Sequence, residues 1–305
     1  MTIALSIVIA TRDRAESLAR ALRSIDAACA AGPQPTQVVV ADNGSTDGTA
    51  ALLEAWATAA PGRVHLRVEQ PGKSRALNRA LARADGDLLA FTDDDIEVCT
   101  HWTAAIVAFF GTHPAYAAAM GRVRPPPQVT DPAVLARLAR YPGAVPLFDR
   151  GEEVCEAHDL YGCNMVLRRE VLSQVGLFNE QLGPGASGLS EDLELTQRIR
   201  AAHLQIGYMP NAVVYHEVDP SRLTDAYYRE FQRRLARSEL VMHPERSYWR
   251  SLPKLFEAAL SSVCWGVLGA SNRRARAWER VNRHAAMLWW GWQQAHRQQL
   301  AKRDS

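Results

Sequence analysis

The apolar positions of this chain come in short runs separated by polar turns, in a strand–helix rhythm. Leu5-Ser6-Ile7-Val8-Ile9-Ala10 is β-branched and almost wholly apolar, as a strand buried on both faces is. Polar Thr11 to Arg14 follows. Leu18, Leu22 and Ile25 then recur at helical spacing until Gly32-Pro33 and Pro35 stop the helix. Val38 to Ala41 reads as a second buried strand, closed by Asp42-Asn43-Gly44-Ser45-Thr46-Asp47-Gly48, with Thr46 as the cap of a helix over residues 49–59. Val64 to Val68 is a third strand. A turn at Pro71 to Ser74 leads to a helix carrying Leu77 and Leu81, and Leu88 to Phe91 is a fourth strand. Further on the pattern predicts a helix over 102–110, a strand near 118–123 and an irregular stretch to about Tyr161. A flexible loop over 183–188, a helix over 191–202 and strand pieces at 206–209 and 212–215 complete it.

This alternation predicts a mostly parallel sheet flanked by helices, with ligands outside the carboxyl ends of the strands. Thr11 to Asp13, Asp42-Asn43 and Asp93 to Asp95 all fall at such ends.

The 305 residues, 47% hydrophobic, suffice for a real core. Net charge is +2, but residues 219–305 hold 16 Lys and Arg against 8 Asp and Glu, so the remainder is acidic at about −6. The split predicts an acidic body over 1–218 and a basic helical extension over 219–305. The five cysteines include no Cys-x-x-Cys pair and read as reduced thiols of a cytoplasmic protein. The apolar start has no basic residue before it, so it does not read as a signal peptide.

Three consecutive carboxylates, Asp93, Asp94 and Asp95, repel one another unless a cation lies between them. Mg²⁺ or Mn²⁺ shared with a diphosphate suits them, while Asp as helix cap is the structural alternative. Asp42 is either a turn residue or an acceptor for a nucleobase. Lys73 and Arg75 oppose the dipole of the helix they open, which points to phosphate or to plain solvated cations. Glu191 and Asp192 suit a helix first turn and equally suit a general base. His216 ends a strand, as a structural histidine or as a further metal ligand.

Taken in order, these segments resemble glycosyltransferase family 2, of GT-A fold. The likeness is carried by Ser6 to Arg14, Val39 to Thr49, Gly72-Lys73-Ser74-Arg75-Ala76-Leu77-Asn78, Gly86 to Asp95, Gly162 to Arg169, Val175 to Asn179, Glu191-Asp192 and Tyr215-His216, over about 70% of the chain. The resemblance implies an inverting, hexosyl-type transferase using Mg²⁺ or Mn²⁺, a nucleotide diphosphate sugar donor, UDP-linked as is common in the family, and a glycan, lipid-linked or small-molecule acceptor. It implies that 1–218 is the catalytic body, with a donor half over about 1–100 and an acceptor half over about 101–218, and it implies Thr11, Asp13 and Asp42 around the base. Lys73, Arg75, Asn78 and Asp93 would lie along ribose and phosphates, with Arg198 supporting them. Two of Asp93, Asp94 and Asp95, with His216, would hold metal, and Asp192 beside Glu191 would be the base.

The alternatives are a sugar-phosphate nucleotidyltransferase, disfavoured because Thr11 to Arg14 contains no glycine, and a non-catalytic nucleotide-sugar-binding protein. In the extension, Trp278, Trp289, Trp290 and Trp292 mix with arginines on helical spacing. This predicts peripheral contact with the inner face of the cell membrane, the alternatives being packing on the body or on a second subunit of a homodimer. A basic surplus confined to a Trp-rich tail does not suit nucleic acid.

Overall fold

The computed structural model describes residues 5–32, 36–244, 248–267 and 271–301. The expected helix breakers Pro33 and Pro35 lie outside the described residues. The chain forms two compact units. One comprises residues 1–132, 145–180 and 191–218, and the other 133–144, 181–190 and 219–305.

The first unit is built on a nine-stranded sheet. β1 (Leu5–Thr11) leads through α1 (Ala15–Ala31) to β2 (Thr36–Asp42), then through α2 (Thr49–Thr58) to β3 (Arg63–Arg67) and through α3 (Lys73–Leu81) to β4 (Leu88–Thr92). β1 and β4 form the buried centre of this half, and α1 turns Leu18, Leu22 and Ile25 inward as their spacing requires. α1 touches both α2 and α4 (Trp102–Thr112). The α3 crossover runs back from β3 to β4, so right-handed connection puts α3 on the other face, against β1 and β2.

The second half of the sheet holds β5 (Ile96–Val98), β6 (Tyr116–Arg124), β7 (Cys155–Glu156), β8 (Asn164–Arg168) and β9 (Gln205–His216). The order is β3-β2-β1-β4-β8-β6-β9-β5, with β7 also on β9. β5, β7 and β8 run against the rest, so the sheet is mixed but mostly parallel. These three strands were not expected. β5 and β7 are too short to show a period, and the apolar run of β8 has none to show.

β9 is one strand where two pieces were expected. Its pairing with β6 jumps from Gly121↔Met209 to Arg122↔Val213, so Pro210, Asn211 and Ala212 bulge. Pro210 has no N–H to give a ladder, which favours such a bulge. The freed carbonyl of Ala212 accepts from Nδ2 of buried Asn164 at 2.8 Å. The same amide donates to the Arg122 carbonyl at 3.0 Å and accepts from Trp102 Nε1 at 2.9 Å. One asparagine thus ties β6, β8, β9 and α4 and fixes where β9 delivers His216.

α5 (Pro132–Arg140) falls in the stretch expected to be irregular and buries none of its residues. α6 (Arg169–Val175) and α7 (Glu191–Ala201) pack together in the first unit.

In the second unit Tyr141 Oη donates to Asp225 Oδ1 at 2.7 Å and Tyr228 Oη to the Pro142 carbonyl at 3.2 Å, tying the 133–144 segment to α8 (Asp225–Met242). α9 (Ser251–Val267) and α10 (Ser271–Ala301) pack together, and α10 also packs on α8. α9 leaves Leu252, Phe256, Leu260, Val263 and Val267 exposed along one stripe. Among the described residues, no helix is long and apolar enough to cross a membrane.

A methyl group added at Gly121 would lie 2.1 Å from Asn164 Nδ2 and 2.6 Å from the Ala212 carbonyl oxygen, neither of which is free to move. Gly121→Ala is therefore expected to destabilise the protein by about 3 kcal/mol, the upper part of the usual overpacking range, in urea unfolding.

Candidate active site

Strand register assembles the site. Thr11 stands opposite Asp42, and Ile9 opposite Thr92, so the ends of β1, β2 and β4 lie side by side. Ile96, the residue after Asp95, pairs with His216 across β5 and β9. α3 starts at Lys73 and α7 at Glu191.

Of the three aspartates, two group with His216. Asp93, Asp95 and His216 each offer one ligand atom, and these atoms lie within 4.8 Å of one another. Asp94 turns away and accepts from Thr11 Oγ1 at 2.6 Å. Burial and the adjacent Asp95 charge push the Asp94 carboxyl up to about 7, against the pull of that hydrogen bond. His216 Nδ1 lies 2.9 Å from the Glu217 carbonyl, which can only accept, so Nδ1 carries a proton. In the neutral ring the Nε2 lone pair then faces Asp95 Oδ1 at 3.4 Å, an arrangement a cation between them would relieve. Two carboxylates and an imidazole on one buried edge fit Mn²⁺ or Mg²⁺ in ligand type.

Two cations balance part of this charge. Lys73 Nζ sits 2.6 Å from Asp93 Oδ1 and 3.4 Å from Glu191 Oε1. Burial opposes its charge, but Asp93 and Glu191 outweigh burial and hold it well above an ordinary lysine. Arg14 Nη1 lies 3.3 Å from Asp95 Oδ2. Asp192 Oδ2 accepts from the Gly162 N–H at 2.9 Å and Oδ1 from the Leu193 N–H at 2.8 Å. Burial, then the Glu191 charge, push its carboxyl up to about 6, while the Gly162 bond and Lys73 pull it down.

Asp42 is fully buried. Its Oδ1 accepts from the Ser45 N–H at 2.9 Å, and Oδ2 has no hydrogen-bond partner among the described residues, with Arg67 Nη1 at 4.0 Å. Asp13, at φ 51°, binds the same loop, accepting from Thr46 N at 2.7 Å and Thr46 Oγ1 at 3.1 Å. The Thr46 backbone bond is the main reason its carboxyl falls below the ordinary range. Thr46 therefore does not cap α2. Asp47 accepts the Thr49 N–H instead, at 2.9 Å.

Three expected residues bond elsewhere. Asn78 exchanges hydrogen bonds with the Phe178 backbone at 2.9 and 3.0 Å, and Arg75 pairs with Glu180 at 2.9 Å. Arg198 donates to the Val175 and Leu177 carbonyls and pairs with Glu194. Together they brace residues 175–180, and none of the three bonds to an aspartate of the cluster.

Residues 6–176 match the model of glycosyl transferase family 2. The chain belongs to that family. It is similar to the succinoglycan biosynthesis protein ExoM of Rhizobium meliloti, at 30% identity over 227 residues, 74% of this chain and 71% of that protein. Its fold resembles the mannosyltransferase PcManGT from Pyrobaculum calidifontis, solved with GDP-Man and Mn²⁺, at TM-score 0.59 and 19% identity over 94% of this chain and 86% of that one. It also resembles S. aureus TarS 1-349 in complex with UDP-GlcNAc, at TM-score 0.55 and 16% identity over 97% and 92% of the two chains. The architecture is thus that of a GT-A glycosyltransferase, and family membership decides against the nucleotidyltransferase and non-catalytic alternatives.

Several residues of this family 2 site carry no individual signal in the sequence beyond their place in a motif. Arg14 reads only as part of a polar loop, and Gly162 acts through its backbone N–H alone. Asn43 Nδ2 donates to the Val68 and Gln70 carbonyls at 3.1 and 2.8 Å, and its Oδ1 accepts from Gly72 N at 2.8 Å. It holds the approach to Lys73, although its Asn-Gly context reads simply as a turn.

Asp95→Asn removes a carboxylate from the cluster yet keeps a side chain of the same size. Calorimetric titration with Mn²⁺ and a nucleoside diphosphate is expected to show at least about tenfold weaker binding, as loss of one charged ligand implies. Equal affinity would remove Asp95 from the metal-binding set.

Proposed function

We propose that the protein is an inverting, divalent-metal-dependent transferase that moves a sugar from a nucleotide diphosphate sugar to an acceptor hydroxyl. The observation that carries this reading is one half-buried lysine joining two acidic groups: Lys73 contacts Asp93 of the metal-suited cluster and Glu191 beside Asp192. Asp93, Asp95 and His216 would hold Mn²⁺ or Mg²⁺. When bound, the ion supplies Lewis-acid stabilisation of charge on the departing diphosphate.

The other steps fall to side chains of this chain. Asp42 accepts one N–H from the base through Oδ2, which has no hydrogen-bond partner among the described residues; this suits the single imide N–H of uracil and so a UDP-sugar. Thr11, bonded to Asp94, and Asp13, bonded to Thr46, shape the wall around that base. Asp192 takes the proton of the acceptor hydroxyl, with Gly162 and Lys73 keeping a usable fraction ionised near neutrality. Attack opposite the leaving group inverts the anomeric carbon, by the geometry that governs inverting glycosidases. Arg75, Asn78 and Arg198 serve the site by bracing residues 175–180.

The name of ExoM points to polysaccharide assembly, and the donors in the PcManGT and TarS complexes are nucleotide diphosphate sugars. A role in bacterial surface polysaccharide or glycoconjugate synthesis follows, with residues 1–218 as the catalytic part. The exposed stripe on α9 supports peripheral contact of residues 219–305 with the cytoplasmic membrane face, where a lipid-linked acceptor would be met.

Nucleoside diphosphate release from a UDP-sugar, dependent on both metal and acceptor, tests the reaction. Asp192→Asn should keep donor binding and lose roughly 10²–10⁴ of turnover. Because the folded Asp192 carboxyl lies near 6, above the usual aspartate, kcat/KM should rise with pH through about 6 and fall about tenfold per unit well below it. A variant retaining normal turnover, or a profile flat from pH 5 to 7, would remove Asp192 from the mechanism.

Phe256→Glu with Val263→Glu places two charges in the α9 stripe. Flotation of the full chain on vesicles containing anionic lipid is expected to drop several-fold, since acidic residues oppose both insertion and surface attraction. Unchanged flotation would leave α9 without that role.

A further inference from the structure

We propose that a cleft between the end of β3 and α3 binds a chain of acidic sugars. The binding stands on its own, and its use as a hold on the glycan being extended rests on the transferase reading above.

The cleft lies within the first unit and measures about 430 Å³, in the range of ligand sites. Arg67, Arg75, Arg79 and Arg83 line it, with Leu66 and Val68 among them. Arg75 and Arg79 stand one turn apart on α3, and Arg83 follows in the turn that ends the helix. A basic residue in the last turn suits the helix dipole, which accounts for Arg79 alone and not for four arginines around one space.

Acids answer two of the four. Arg67 pairs with Glu69 at 2.7 Å. Arg75 donates from Nε to Glu180 at 2.9 Å and from Nη1 to the Pro71 carbonyl at 3.1 Å, so its guanidinium is fixed. Arg79 and Arg83 are exposed, and neither has an acidic partner among the described residues. This positive surplus sits on a body, residues 1–218, whose net charge is about −6.

Charge calls for an anion, and the walls narrow its class. Guanidinium forks match carboxylates and phosphates alike. Leu66 and buried Val68, however, give the cleft apolar surface. The C–H faces of pyranose rings cover such surface favourably, and a polyphosphate has nothing to cover it with. Arg75 and Arg79 lie about 6 Å apart along the helix axis. That step exceeds the separation of neighbouring groups in a diphosphate and suits carboxylates carried on successive units of a glycan.

The cleft borders the residues assigned to the donor. Arg67 Nη1 lies 4.0 Å from Asp42 Oδ2, and the Val68 carbonyl accepts from Asn43 Nδ2 at 3.1 Å. Arg75 is two residues beyond Lys73. A glycan lying here is held by units remote from its reacting hydroxyl, which raises the concentration of that end at the site.

Calorimetric titration of the full chain in metal-free buffer tests the proposal, with hexagalacturonate as the acidic probe and maltohexaose as its uncharged counterpart. Hexagalacturonate is expected to bind, with affinity falling several-fold between about 50 and 300 mM salt, and maltohexaose is not. Arg79→Gln with Arg83→Gln removes two charges and keeps good helix formers, and it should bind the acidic probe roughly tenfold more weakly. Arg79→Lys with Arg83→Lys keeps the charge without the fork and should fall between the two. Metal-dependent binding of a nucleoside diphosphate should be unchanged in both variants, which shows them folded. Equal affinity of the glutamine variant for hexagalacturonate would place binding elsewhere, on the basic residues 219–305 first of all, and overturn the proposal. Absent binding, equal binding of maltohexaose, or tighter binding of an inorganic polyphosphate of the same charge would overturn it too. Failure of the transferase reading would show as absent sugar transfer and would leave these titrations untouched.

Discussion

The crowding of carboxylates on one sheet edge is the constraint from which the rest follows. Asp93, Asp94 and Asp95 leave β4 together, His216 arrives beside them, and Glu191 and Asp192 lie within reach of the same lysine. Such a group is costly to bury without compensation. The protein compensates in three ways. Asp94 is turned aside onto Thr11, where burial favours its neutral form. Lys73 and Arg14 each neutralise one of the remaining aspartates. What is left is a pair of oxygens and one imidazole nitrogen, suited to a divalent ion. The acidity that makes the edge hard to fold is thus what suits it to a divalent ion.

The scaffold keeps that crowding in register. β1, β2 and β4 are buried, parallel and staggered so that their polar ends coincide. His216 depends on a less regular device, the bulge in β9 and the asparagine that satisfies its stray carbonyl. A packing detail at Gly121 and Asn164 therefore bears on where a candidate metal ligand stands, though neither residue belongs to the cluster.

Much of this was readable from residues alone. The first four strands announce themselves because each is a short apolar run ending in polar residues, and their alternation with helices fixes the sheet direction. The clustering of Asp42, Thr11 and the three aspartates follows from that topology. β8 was legible only as a motif, since five residues buried on both faces carry no period. β9 was split because Pro210 and Asn211 look like an end and are instead a bulge. The division of labour among the aspartates lay beyond sequence, since it depends on which way each side chain turns. So did the bonds of Arg75, Asn78 and Arg198, whose partners on residues 175–194 are brought near only by the fold.

The bridge between Val123 and Phe148 has a consequence for how such chains diversify. It closes the segment that leaves β6 by pairing Phe148 back onto Val123 of that strand. Doubling the length of a closed loop adds only about 0.6 kcal/mol of closure entropy. Residues 125–131, none of them buried, can therefore lengthen or shorten at little thermodynamic expense, whereas Tyr141 and Pro142 further on are held by α8.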